Sequence, residues 1–162
     1  MEKLERKEKI QIKINEIKEK EAINSLKNLK FNKFVDEEII NKIKPVLKAI
    51  NCNIEKPEKV MVTADDYETN IENLKEVIEK IQKSGNWFIP SPAHISKKWY
   101  EVEVDDIKLG IQELFKIYGQ DFFTIILKEE KTLIDVFWDE EYEGTYNKLG
   151  IYCIYIKAIY DW

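Results

Sequence analysis

The spacing of apolar residues in this chain of 162 residues changes after residue 97, and that change limits the folds open to it. In the first half, apolar residues recur every three or four positions, which is the period of a helix with one buried face. After residue 97 they alternate with charged residues, as in Tyr100, Val102 and Val104 against Glu101 and Glu103. That alternation is typical of a strand with one wet face. An α-rich first half should therefore precede a second half of the order β-α-β-β-β.

Helices are predicted for most of the first 84 residues. Residues 67–81 give the clearest one, with Asp65 or Asp66 as the N-cap and Gly85 as a left-handed stop. Residues 37–50 form another after the cap Asp36, and Pro45 should kink or split it. "NKF" at 32–34 indicates a break, and residues 60–63 a short extended piece.

The first 20 residues fit a helix through Ile10, Ile14 and Ile17 and a strand through Ile10, Ile12 and Ile14. The density of Glu and Lys favours the helix. Its apolar stripe is thin, which is typical of an exposed or partner-facing helix. The register next meets Glu21, so a long coiled coil is not expected.

The second half predicts a strand, a helix over 105–118 that begins at Asp105 and ends at Gly119, and a β-hairpin over 121–138. "DEEYEGTYNKLG" indicates an acidic loop. "IYCIYIKAIY" indicates a long strand, apolar on both faces for most of its length, that is either central in the sheet or covered by the N-terminal helices. The predicted fold class is α+β, with an N-terminal helical layer packed on a small, mostly antiparallel sheet. The helix over 105–118 would allow one parallel neighbour. The helical region 1–84 and the α+β region 85–162 should form one compact domain.

The stretch 85–104, "GNWFIPSPAHISKKWYEVEV", holds the only histidine and two of the four tryptophans. Two X-Pro steps predict a stiff connector, with the aromatic side chains closing the seam between the two halves. The alternative is an exposed anchor surface, since aromatic residues dominate binding hot spots. Its residues would be Trp87, His94, Lys97, Lys98 and Trp99. His94 has no nucleophile at a catalytic spacing, so no catalytic role is expected for it.

Charge is distributed unevenly along the chain. The net charge is −5, yet residues 1–34 sum to +4 and residues 101–143 to −9. The carboxylates should sit outward in water and meet a basic partner protein, with the interleaved aromatic residues as anchors. The predicted partner-binding residues are Trp138, Asp139, Glu140, Glu141, Tyr142 and Glu143. The alternative is a Mg²⁺ or Mn²⁺ site of a hydrolase built on the carboxylates of 135–143.

Several classes of function find no support in the sequence. Arg6 is the only arginine beside 25 lysines, which argues against sequence-specific nucleic-acid reading. Five glycines supply no phosphate-binding loop, so no cofactor is expected. Cys52 and Cys153 indicate reduced thiols. No secretory signal or membrane span is visible, so a cytoplasmic protein is expected.

The sequence therefore favours a non-enzymatic inhibitor, such as a bacterial immunity protein, an antitoxin-like inhibitor or a phage counter-defence factor. It would occlude a basic partner with its acidic, aromatic surface. The alternatives are the metal-dependent hydrolase and a structural protein that self-associates through its N-terminal helix. No sequence motif discriminates among these three functions.

Overall fold

The structure is a computed structural model that describes residues 2–51, 59–62, 66–93, 97–119, 122–143, 149–160 and 162. These residues form helices and strands in the order α1 (Glu2–Ser25), β1 (Lys30–Phe34), α2 (Glu37–Asn51), β2 (Lys59–Val62), α3 (Tyr67–Ile81), β3 (Asn86–Pro90), β4 (Trp99–Glu103), α4 (Ile107–Tyr118), β5 (Phe122–Leu127), β6 (Thr132–Glu143) and β7 (Leu149–Ala158). The predicted α+β class is confirmed.

The strands form one seven-stranded sheet in the order β1-β4-β3-β5-β6-β7-β2. Every pair of neighbours among these strands is antiparallel. β4 and β5 both lie antiparallel to β3, one on each side, so they run in the same direction without touching. α4 connects these two strands, and the parallel neighbour that it would allow is not formed.

Helices cover both faces of the sheet, because successive side chains of a strand point to opposite faces. Trp87 and Ile89 of β3 enter one core with apolar residues of α3 and α4. Phe88, between them, enters a second core with Ile40 and Ile43 of α2. Each fully buried side chain of this size contributes about 1.5–3 kcal/mol to folding. The predicted helical layer on the sheet thus lies partly on one face and partly on the other.

The first half also supplies two edge strands. β2 confirms the predicted extended piece, whereas β1 occupies the predicted break at 32–34. β1 is short and carries exposed lysines, so its own sequence favours no strand; pairing with the distant β4 creates it. α2 continues through Pro45 as a single helix.

The predicted ends of the helices are partly correct. Asp66 caps α3 by accepting a 2.9 Å hydrogen bond from the Thr69 amide. Asp106, one residue later than predicted, caps α4. Gly119 ends α4 at a φ of 88° as expected. Gly85 does not end α3, because the helix already ends at Ile81.

The prediction of a stiff connector over 85–104 is wrong. β3 and β4 lie side by side within the sheet, with Asn86 opposite Glu103 and Pro90 opposite Trp99. The prolines permit this because Pro90 is the last residue of β3 and Pro92 follows it. Trp87, Phe88 and Ile89, and likewise Trp99, Tyr100 and Val102, are therefore strand residues.

The predicted hairpin over 121–138 is confirmed, with a turn at residues 128–131 between β5 and β6. β7 lies between β6 and β2, as expected for a central strand. No helix among the described residues is long and apolar enough to cross a membrane.

Gly85 allows its backbone and that of Val104 to lie in close contact, and a side chain at this position should prevent it. The Val104 amide donates a 2.8 Å hydrogen bond to the Gly85 carbonyl. A Cβ at Gly85 would collide with the carbonyl oxygen of Val104. Gly85→Ala should therefore lower the free energy of unfolding, measured in urea, by roughly 2–3 kcal/mol, because backbone must move.

Ser84→Ala is the matched control at the neighbouring position. The Ser84 hydroxyl is buried and has no hydrogen-bond partner among the residues that the structure describes. Its removal should cost less than about 0.5 kcal/mol or stabilise the fold. Equal stability of Gly85→Ala and the unchanged chain would contradict the close approach.

Candidate binding surfaces

Part of the acidic segment predicted as a loop is strand: residues 139–143 end β6 and residues 149–150 begin β7, whereas residues 144–148 lie outside the described residues. Among the described residues, β5 pairs with β6 from Thr132 to Phe137. Beyond Phe137, β6 still pairs with β7, with Trp138 opposite Tyr152 and Glu143 opposite Leu149, and the register is irregular between Asp139 and Glu143. On the other side of β7, the described pairing with β2 ends at Cys153. Residues 138–143 and 149–152, named the acidic ribbon below, thus extend past the described residues of β5 and β2, and residues 149–152 of β7 span about 13 Å.

Charged residues are depleted in strands, which is why this sequence indicated a loop. Asp139, Glu140, Glu141 and Glu143 give the ribbon four carboxylates in five positions and no base. Their side chains and that of Tyr142 lie outside the described part of the structure, so their outward placement stays a prediction. Like charges this close repel one another, which favours a cationic partner.

Trp138 holds the base of the ribbon to the protein. Its ring packs edge-to-face on Tyr152, with centroids 4.6 Å apart. The side chain is half-buried against the core beneath α3 and α4. Trp138 therefore positions the ribbon from below, in addition to any contact that it makes with a partner.

Asp135 belongs to the sheet and not to the ribbon. Burial raises the pKa of its carboxyl above the ordinary range, and the Thr124 hydroxyl, 2.6 Å away, opposes that shift. Within the described residues, no three His, Cys, Asp or Glu side chains are grouped to hold a metal ion. The carboxylates from 139 to 143, on which the hydrolase hypothesis rests, lie outside that search.

The second predicted surface is not brought together. Trp87 is buried in one core, where its indole N–H donates a 2.9 Å hydrogen bond to Gln82, and Trp99 is buried in the other. Lys97 and Lys98 are exposed, and the Lys98 ammonium lies 4.6 Å from the centre of the Phe34 ring. His94 lies outside the described residues.

A buried polar cluster, missed in the sequence, ties α1 to the sheet. The carboxylate of Glu19, only 5% exposed, lies 2.8 and 3.0 Å from the Ser91 hydroxyl. The Tyr100 hydroxyl donates to the same carboxylate. Burial, and then the hydrogen bond to Glu19, raises the pKa of Tyr100 above its ordinary range, so Tyr100 stays a donor.

This cluster resembles part of a catalytic set in composition but not in access. Ser91 is 4% exposed and Tyr100 is fully buried. No substrate can reach a hydroxyl that is closed off by α1 and the sheet. The cluster therefore anchors α1. Glu19 stands among a run of charged residues and its partners follow 72 and 81 positions later, so no local signal marks it.

A second buried carboxylate holds the segment that follows α1. The two oxygens of Glu113 on α4 accept hydrogen bonds of 2.7 and 2.5 Å from the backbone amides of Lys27 and Asn28. A groove of about 520 Å³ lies beside this contact, between the end of α1 and α4. Together the two carboxylates fix the C-terminal end of α1.

The rest of α1 stands away from the protein. Residues 3–18, named the arm below, are exposed apart from a half-buried Asn15. Five apolar side chains of the arm, 38–67% exposed, are Leu4, Ile10, Ile12, Ile14 and Ile17. At 1.5 Å per residue the arm is about 24 Å long. The predicted exposed helix is confirmed.

Comparisons with known proteins found no match to this chain among family models, curated proteins or solved structures.

Removing the Tyr100 hydroxyl should weaken the anchor of α1. Tyr100→Phe leaves the buried Glu19 carboxylate with one hydroxyl donor fewer, at a cost of roughly 1.5–3 kcal/mol in the free energy of unfolding. Tyr160→Phe removes a hydroxyl from a side chain that is 80% exposed and should cost less than about 0.5 kcal/mol. Chemical denaturation measures both. If the two variants are equally stable, Glu19 does not depend on Tyr100.

Proposed function

We propose that this chain is a non-enzymatic protein-binding factor, of the inhibitor, immunity or counter-defence type, that occludes a basic surface of another protein with its acidic ribbon. The observation that carries the proposal is the pairing of β6. Residues 138–143 of this strand continue past the described residues of β5, and Trp138, Asp139 and Glu143 among them pair with β7 across an irregular register. A segment with four carboxylates in five positions therefore forms the end of the ribbon.

The ribbon has the shape and charge for occlusion. An acidic projection steers a cationic surface toward it and raises the association rate at low salt. The backbone edge of residues 138–143 that faces away from β7 has no strand partner within the described ranges. A partner strand can add to such an edge through main-chain hydrogen bonds.

The test compares two variants that carry the same net charge. The ribbon variant replaces Asp139 by Asn and Glu140, Glu141 and Glu143 by Gln. The control variant replaces four other acidic residues by Gln, three exposed on α3 and one in the turn after β5. They are Glu68, Glu76, Glu79 and Glu129.

Unchanged chain, ribbon variant and control are used as baits in an extract of the organism that encodes the chain, with capture quantified by mass spectrometry. The unchanged chain and the control should enrich the same basic protein, and the ribbon variant should lose it. With the purified partner, the ribbon variant should bind at least about thirtyfold more weakly, and added salt should reduce the difference.

Basic partners captured equally by the ribbon variant would contradict the proposal. The hydrolase alternative can be tested with the same purified proteins, by measuring whether they bind a divalent metal ion. Calorimetric titration of the unchanged chain with Mg²⁺ and Mn²⁺ should show no binding. Heat of binding that disappears in the ribbon variant would favour a metal site there instead.

A further inference from the structure

We propose that the arm of α1 is a second binding surface, which fits an apolar groove rimmed by carboxylates on another protein. This inference rests on different residues from the acidic ribbon and does not depend on the function proposed above.

The arm carries its apolar stripe on the side turned away from the protein. A helix turns 100° per residue, which places Ile10, Ile14 and Ile17 within about 60° of one another. Glu19 and Ile23, which contact the protein, lie about 140–180° from the centre of that stripe. The stripe residues are 49%, 38% and 56% exposed. The body of the chain therefore cannot cover them without releasing the anchor at Glu19.

The charges of the arm are sorted about this stripe. Every charged residue of the arm that falls within about 80° of Ile10 is basic. These residues are Lys3, Arg6, Lys7, Lys13 and Lys18. The acidic residues Glu5, Glu8 and Glu16 all lie on the other side of the helix, at about 120–160° from Ile10. The stripe is thus apolar from Ile10 to Ile17 and cationic on both borders, with Lys3 in line with it before Ile10.

This charge pattern decides which partner fits. Two arms packed stripe to stripe would bring ten cations together, which opposes self-association through this face. An interfacial membrane helix needs a broad apolar face with Trp, Phe or Leu. This stripe is a single row of three isoleucines along the helix and contains no aromatic residue. Nucleic acid would use the cations and leave the isoleucines in water.

An acidic groove uses both parts of the surface. Anchors at positions i, i+4 and i+7 are the pattern by which an amphipathic helix enters an apolar groove, and Ile10, Ile14 and Ile17 have that spacing. Carboxylates on the rim of the groove would then pair with lysines on both borders of the stripe.

The test uses calcium-loaded calmodulin as a purified probe, because its apolar grooves are lined by flexible side chains and accept basic amphipathic helices. The stripe variant replaces Ile10, Ile14 and Ile17 by Ser. The control replaces the exposed Leu4, Ile12 and Leu109 by Ser, which removes three apolar side chains away from the stripe. In both variants the free energy of unfolding should differ from that of the unchanged chain by less than about 0.5 kcal/mol per substitution, since all six sites are exposed.

Calorimetry should give a micromolar dissociation constant for the unchanged chain and the control, and binding at least about tenfold weaker for the stripe variant. Reversal of charge in Lys7→Glu, Lys13→Glu and Lys18→Glu should also abolish binding. No binding at about 100 µM probe, or equal loss in stripe variant and control, would overturn the proposal.

Two further measurements identify the other occupants, and either positive result overturns the proposal. Binding to phosphatidylserine vesicles without binding to calmodulin would assign the stripe to an anionic lipid surface. A dimer in sedimentation that the stripe variant lacks would assign it to a second copy. The ribbon variant should bind calmodulin as the unchanged chain does, so failure here leaves the ribbon proposal intact.

Discussion

α1, a helix rich in charge, is fixed to the apolar sheet only at its C-terminal end. The exposure of its remaining residues, the arm, follows from that constraint. Buried carboxylates are costly unless hydrogen-bond donors satisfy them. Glu19 obtains its donors from Ser91 and Tyr100, and Glu113 obtains two backbone amides just after α1. Both contacts lie at the C-terminal end of α1. The arm is therefore held in place by a few polar contacts at its base while its isoleucines remain in water.

The order of the strands separates the charges in space. α1 leads directly into β1 at one edge of the sheet, whereas β6 and β7 lie toward the other edge. The arm belongs to the basic first 34 residues, and the acidic ribbon contains the end of the acidic stretch 101–143. The two surfaces thus lie toward different edges of the sheet. Under the two proposals above, the arm and the acidic ribbon would bind two partners or two sides of one partner.

Features with a local signal could be predicted from the sequence, and those created by distant pairing could not. Helical spacing and the cap Asp66 predicted α3, and Gly119 predicted the end of α4. The lysines of β1 predict no strand, because only pairing with the distant β4 creates it. The X-Pro steps at residues 89–92 predict a connector, whereas pairing with β4 and β5 makes residues 86–90 the strand β3. The carboxylates of the ribbon oppose strand formation, so its sequence predicts a loop although β6 pairs with β7 there. The partners of Glu19 lie more than 70 residues away, so no local pattern predicts them.

The anchored arm can be tested by hydrogen exchange of the free chain, at a concentration where sedimentation shows a monomer. Amides of residues 3–17 should exchange rapidly, because few tertiary contacts support this part of α1, while amides of residues 19–25 should be protected by the anchor at Glu19. A sharp boundary near Glu19 is the predicted result. Equal protection along all of α1 in the monomer would show that the body of the protein covers the stripe, and would contradict the account.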